Sequence, residues 1–393
     1  MQQIQRIWTK DFILVSAINF CLNLVSYLLI VLMSSYSVHT FHASISQAGL
    51  VSSILIVGIL IGRLSIGKNI EKIGYRNVLF AGVFLCFLST SLYLLRVSIV
   101  FLILVRLLHG GMLGIALTAA NTIVASIVPL ERRGTGIGYF SLSTIIGTAI
   151  GSFLGIFMIQ YTSYPIIFVG CMSIGMISFL LTFFISIPPS ANTMKGVQPT
   201  QAFRLKNFIE PKALPISMVM LIIGFSYSAV LTYIHFYAIE LGLVQAASFF
   251  FLTYSIAVLV SRPLTGHLLD RKGAHFVMYP TFILFMIGML LLSMAESSFM
   301  LLAASVLIGL GFGNMQTCAQ TIAIQSVPRE KIGLATSTFA IFLEAGLGFG
   351  PYLLGFFLTY LSYSQLYALL TIVILLGSVL YFILFTSNRA KSV

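Results

Sequence analysis

The chain has 393 residues, of which 59% are hydrophobic and only 8% charged, and its formal net charge is +12. That balance excludes a soluble domain with an ordinary charged surface, because water cannot be the only solvent such a chain meets. The positive excess does not indicate a nucleic-acid binder, since the basic residues fall where membrane topology puts them.

A helix needs about 20 apolar residues to cross roughly 30 Å of hydrocarbon. Runs of that kind fall near 12–35, 46–66, 77–95, 98–128, 136–160, 165–187, 213–238, 246–267, 276–295, 298–326, 334–359 and 365–386. They predict an all-α membrane protein with twelve transmembrane helices. Of the 21 Lys and Arg residues, all but Arg96 and Arg106 lie on one side of that arrangement. Positive charge collects on the cytoplasmic side, so a multi-pass protein of the cell membrane with both termini in the cytoplasm is expected. The first run is too long for the apolar core of a signal peptide, and a retained first span is expected.

Residues 1–187 form one predicted six-helix bundle and 213–393 a second, with a cytoplasmic linker at 188–212. Pro188, Pro189, Pro199 and Pro211 deny that linker a continuous helix, and Lys195, Arg204, Lys206 and Lys212 hold it near anionic headgroups. Cys21, Cys86, Cys171 and Cys318 sit inside apolar runs without ligand spacing, so neither metal nor cofactor is expected.

The chain repeats itself at an offset of 199 residues. GKNIEKIG at 67–74 returns as GHLLDRKG at 266–273, aligning Gly67, Glu71, Lys72 and Gly74 with Gly266, Asp270, Arg271 and Gly273. Gly110, Gly114, Thr118 and Thr122 return as Gly309, Gly313, Thr317 and Thr321, and Gly147 and Gly151 return as Gly346 and Gly350. A constant offset over separated segments indicates a duplicated unit, which is transporter architecture.

Residues 266–273 resemble the Gly-x-Leu-x-Asp-Arg-x-Gly signature of the major facilitator superfamily, and residues 67–74 match it loosely, with Asn69 in place of leucine. The resemblance spans the chain and implies the two-bundle facilitator fold, with these turns in a cytoplasmic gate. A carboxylate at one helix end can pair with cations and free N–H groups at the start of another, an interaction of about 0.3 to 2 kcal/mol that breaks easily. Glu71 is therefore expected to face Lys331 and Gly333, and Asp270 to face Arg133 and Gly134, with Lys72, Arg76 and Arg271 completing the gate. The plainer reading is that these charges only fix topology.

Arg106 lies inside the fourth span, where a central arginine costs on the order of 3 kcal/mol and needs a partner or a wet cavity. The resemblance to the drug:proton antiporter branch implies a proton-transfer role for Arg106, with Gly110 completing an Arg-Gly pattern. His109 lies three residues on, near the same helix face, and is a candidate for proton coupling with Arg106 or for substrate contact, a hydrogen-bonded structural histidine being the plainer reading. Glycines at 147–155 and 346–355 predict close helix packing, with a kink at Pro351. Those stretches resemble the Gly-Pro motif of antiporters, except that Ser152 stands where the fifth helix would carry proline.

Glu344 is the one acidic residue deep in a predicted span. A charged carboxylate is costly there, so it is the expected site of proton exchange. Asn19, Asn23, Tyr27, Tyr227, Tyr233, Tyr254, Asn314 and Gln320 are the remaining candidates for a substrate cavity, together with Arg106 and Glu344.

These residues point to a secondary transporter rather than an enzyme, with protons, membrane lipids and a small-molecule substrate as partners and a monomer as the expected state. Proton-coupled efflux of amphipathic or cationic compounds is the first reading. Export of a metabolite such as a sugar or a carboxylate-bearing chelator is the second. A lipid-modifying membrane enzyme would need interfacial catalytic clusters that the short loops do not offer. On the latch reading, Asp270→Asn shifts the population toward the inward-open state; unchanged conformational labelling would remove Asp270 from the gate.

Overall fold

A computed structural model describes residues 7–66, 70–129, 132–186, 209–328 and 331–386, with the side chains at 71, 72, 133–135, 270 and 386 outside that description. Among the described residues there are twelve long helical runs. The first six are α1 Lys10–Phe41, α2 Ile45–Ile66, α3 Tyr75–Ser91, α4 Ile99–Ile127, α5 Arg133–Tyr161 and α6 Tyr164–Phe183. The second six are α7 Leu214–Glu240, α8 Phe250–Lys272, α9 Ala274–Ser293, α10 Ser298–Gln325, α11 Ile332–Phe357 and α12 Tyr363–Thr386.

Eleven of them are long and apolar enough to cross a membrane; α8 falls short because Arg262, His267, Asp270, Arg271 and Lys272 dilute it. Sequence and structure differ mainly at the ends. The first span, expected to stop at 35, runs to Phe41, and the eighth, expected at 246–267, starts at Phe250 and continues to Lys272. Apolarity stops at the edge of the hydrocarbon, but the backbone keeps its internal hydrogen bonds through the interface. Arg271 and Lys272 in the last turn of α8 also favour the negative end of its dipole.

Capping side chains set several starts. Ser98 Oγ accepts from Phe101 N at 3.1 Å to open α4, and Ser297 Oγ accepts from Met300 N at 3.4 Å to open α10. These two caps stand at the same 199-residue offset as the motifs. Reciprocal capping boxes join Ser44 to Gln47 before α2 and Ser362 to Gln365 before α12. Gly74 and Gly273, the last residues of the two related turns, have φ of 92° and 83°, where a side chain would be strained.

The chain divides into two compact units, one of Met1–Leu32 with Ile54–Thr200, the other of Met33–Ser53 with Gln201–Val393. Within the first, α2 packs on α4 through backbone: a Cβ at Gly110 would collide with the Leu55 carbonyl, and one at Gly114 with the Ile59 carbonyl. Within the second, Gly309 stands against the Tyr254 carbonyl and Gly313 against the Val258 side chain. Residues 254 and 258 are the repeats of 55 and 59, so the duplication is realised as one helix crossing built twice. Likewise Gly151 lies on the Leu24 carbonyl between α5 and α1, and Gly346 on the Leu221 carbonyl between α11 and α7. Lipid tails are as apolar as side chains, so helices associate through such close packing rather than a hydrophobic drive.

The hairpin at 33–53 belongs to the second unit. There Ser46 Oγ donates to the Tyr352 carbonyl at 3.1 Å, and Tyr233 Oη donates to the Pro351 carbonyl. α11 runs through Pro351 as one helix.

Leucine at Gly110 or at Gly309 is expected to cost about 1 to 3 kcal/mol by overpacking. Gly138 has nothing within 4 Å of an added Cβ, so leucine there should stay within about 0.5 kcal/mol of wild type. Thermal unfolding in detergent compares the three.

Candidate functional site

In the first unit the informative group is built on α3 and α4. Arg106 is completely buried and His109 nearly so. Tyr93, on the short 3₁₀ turn that ends α3, brings its hydroxyl to both: it hydrogen-bonds Arg106 and lies 2.9 Å from His109 Nδ1. A guanidinium has only donors, so the hydroxyl accepts from Arg106 and has its own proton to give to the imidazole. The three side chains form one relay. Tyr93 had no sequence signal, because a tyrosine at a span end looks like an interfacial anchor.

His109 also lines a small cavity inside this unit, together with Cys21, Cys86, Thr90 and Ser178. Asn19 and Asn23 are buried on α1. Asn19 Nδ2 donates to Ser143 Oγ at 2.7 Å and Thr144 Oγ1 at 2.8 Å on α5, and Asn23 donates back to the Asn19 carbonyl at 2.8 Å. Tyr27 is half-buried one turn further on.

The second unit gathers a larger polar and aromatic group on α7, α8 and α10. Midway along α10 the residues Gly309–Gly313 form a π-helical turn, a feature that recurs at functional sites. The equivalent stretch in α4 stays α-helical. The turn presses Phe312 flat against Tyr227, with centroids 3.9 Å apart at 9°, and Tyr254 stands 5.7 Å from Tyr227. Asn314, just past the turn, donates to Ser261 Oγ at 2.8 Å and accepts from Thr265 Oγ1 at 3.1 Å. Arg262, between those two α8 residues, donates through Nη2 to Thr317 Oγ1 at 3.1 Å.

The positive-inside pattern puts Arg262 with the cytoplasmic cations, yet it is the thirteenth of 23 residues of α8. The available signal was Arg63, which stands 199 residues earlier in α2. Glu344 is half-buried in the middle of α11 with Oε2 out of contact with solvent. Tyr233 is fully buried on the Pro351 carbonyl, and Gln320 is half-buried on α10.

Of the gate residues, Gly67 lies outside the described residues, as do the side chains of Glu71, Lys72, Arg133 and Asp270 and most of the linker. Arg76 is exposed and donates to the Phe183 carbonyl at 3.4 Å; Arg271 is exposed, and Gly266 has open space around it. Lys331, the expected partner of Glu71, has its Nζ 3.1 Å from Glu210 Oε2. The backbone N–H of Glu210 donates to Thr338 Oγ1 at 2.8 Å, which pins the chain entering α7 to α11. Proline neighbours and a loop position had concealed Glu210.

Helices that span a membrane, a duplicated glycine crossing and ionisable side chains inside the helices define a multi-pass transporter. The chain belongs to the Major Facilitator Superfamily, which its residues 15–292 and 244–393 match. It is 22% identical over 331 residues to an uncharacterized MFS-type transporter of Methanocaldococcus jannaschii, covering 79% of this chain and 84% of the relative. It is 24% identical over 330 residues to the uncharacterized MFS-type transporter YhhS of Escherichia coli, covering 81% and 79%. Among solved structures, the nucleoside transporter NupG superposes with a TM-score of 0.78 at 14% identity over 95% of this chain and 99% of that one. A bacterial homolog of the human lysosomal transporter Spinster, inward-facing and unoccupied, gives 0.76 at 13% identity over 95% and 97%. These structures share the fold.

Tyr93→Phe removes the hydroxyl between two buried polar side chains and is expected to destabilise the protein by about 1 to 3 kcal/mol. A wild-type unfolding temperature for this variant would show that the bridge contributes nothing.

Proposed function

We propose that this chain is a proton-coupled secondary transporter that exports small amphipathic organic compounds by alternating access, with Glu344 as the proton carrier. The observation that carries this reading is a carboxyl in the middle of the 26-residue α11 with one oxygen withdrawn from solvent. A carboxyl in that position changes cost steeply between its neutral and charged forms, so its proton occupancy can be tied to the side from which it is reached. Arg106, held by Tyr93 beside His109, supports a second proton-linked position in the other half. The resemblance of the Arg106 stretch to drug:proton antiporters supports the direction of transport, and the sequence has no phosphate-binding loop for ATP.

In this reading the chain works as a monomer in the cell membrane, with termini and the 188–212 linker in the cytoplasm between bundles 1–187 and 213–393. The Glu71 and Asp270 turns act as the cytoplasmic latch. The pairing of Lys331 with Glu210 supports a gate whose cation changes partners. A second reading, export of a metabolite bearing a carboxylate, is favoured by one observation, the arginine inside α8.

Glu344→Gln is expected to abolish substrate-dependent proton release from proteoliposomes while leaving substrate counterflow intact, because exchange without net proton movement does not need the carrier. Full proton release from the variant would eliminate Glu344 from that role. Hits from a drug-sensitivity screen of cells with and without the chain supply the substrates.

A further inference from the structure

The basic end of α8 is at Lys272, ten residues beyond Arg262, so the Arg262 backbone lies about 15 Å inside the helix at 1.5 Å per residue. Cations within the apolar stretch of a membrane helix are rare and face a water-filled path or a counter-charge. No such counter-charge appears among the described side chains: the one polar contact of the guanidinium is the hydroxyl of Thr317. The one acidic residue on the same helix, Asp270, is eight positions away, about 12 Å along the axis.

Arg106 shows the contrast. It is fully buried beside Tyr93 and His109, whereas Arg262 is only half-buried and engages Thr317 through one arm of its fork. Its surroundings are organised. Tyr254 lies two turns back on α8, close enough to interact with its charge. On either side, Ser261 and Thr265 are tied to Asn314, which fixes this face of α8 against α10 just beyond the π-turn. Lipid-facing positions begin at the next residue, where Pro263 and Leu264 are exposed.

We propose that Arg262 is the anchor for the oxyanion of a small organic acid, a carboxylate or phosphate bound by the guanidinium fork, with Thr317 orienting the fork and the Tyr254 hydroxyl adding a donor. An arginine fork matches the two oxygens of such a group in geometry as well as charge. The assignment deepens the second reading above and rests on the chain being a transporter; it names the cargo class that this half of the protein selects. The π-turn lies immediately before Asn314, and the α-helical stretch that follows it carries both Asn314, on Ser261, and Thr317, on Arg262.

The test is equilibrium binding to the purified full chain in a detergent free of anionic lipid, using benzoate and phenyl phosphate as probes and uncharged benzamide as control. Wild type is expected to bind both anions and not benzamide. Arg262→Gln should weaken anion binding at least about tenfold. Arg262→Lys, which keeps charge without the fork, and Thr317→Val should each give a smaller loss. Arg96→Gln, in an exposed loop, should match wild type. If Arg262→Gln fails to fold, the lysine and valine variants decide. Anion affinity unchanged in folded Arg262 variants, or wild type binding neither anion, overturns the proposal.

Phosphatidylglycerol added to the same detergent separates cargo from lipid. Probes that stay bound support a cargo site, and displacement of both probes by the lipid overturns the cargo assignment in favour of a headgroup site. Binding needs no transport, so its loss is distinct from the loss of proton-coupled flux that would defeat the transporter reading.

Discussion

The close approach of glycine to a neighbouring helix's backbone is the constraint on which the rest of this protein depends. In lipid there is little gain from burying one apolar side chain against another, so helices must meet through surfaces that let their backbones come together. Gly110 and Gly114 do this for α2 and α4, and Gly309 does it for α8 and α10, with Gly313 one turn on against the Val258 side chain. Gly147 and Gly151 seat α5 on α1 by the same means, as Gly346 and Gly350 seat α11 on α7. These are also the positions that carry the 199-residue repeat. What the duplication preserved was the set of crossings, while the side chains between them diverged.

Once the crossings are set, polar side chains have few places to go. Most of those inside the helices satisfy one another: Asn19 with Ser143 and Thr144, Asn314 with Ser261 and Thr265, Tyr233 with the Pro351 carbonyl. These interactions lock neighbouring helices and leave little donor capacity for a ligand. The charged residues behave differently from half to half. Arg106 is enclosed with Tyr93 and His109, and Arg262 is held by a single hydroxyl. Where α4 keeps a regular α-helix, α10 opens into a π-turn, and the third glycine that permits it, Gly311, stands where α4 has Met112. The halves share a frame and divide the chemistry.

Much of the fold was legible in the residues. Apolar runs located nearly every helix to within a few positions, because a span must satisfy its own backbone and be long enough to cross. The missed ends of α1 and α8 lie where helix continues past the hydrocarbon. The site was less legible. Arg106, His109 and Glu344 stood out because a charge in an apolar run is conspicuous. Tyr93, Glu210 and Thr317 did not, since each is unremarkable until a side chain distant in sequence is beside it.

The sequence by itself determined that the chain spans a membrane, that it is a duplicated unit, and that a few ionisable residues lie within its helices. All three follow from properties that run along the chain: composition, segment length and a constant offset. Only the tertiary structure decided which polar residues lock helices together and which make few contacts of their own. It gave Lys331 to Glu210, joined Arg106 to His109 through Tyr93, and set Arg262 deep in α8 beside Thr317. The physical reason is that a hydrogen bond or ion pair depends on separations of a few ångströms between helices. Those separations are set by where glycines let the backbones cross, and no local property of the chain records them.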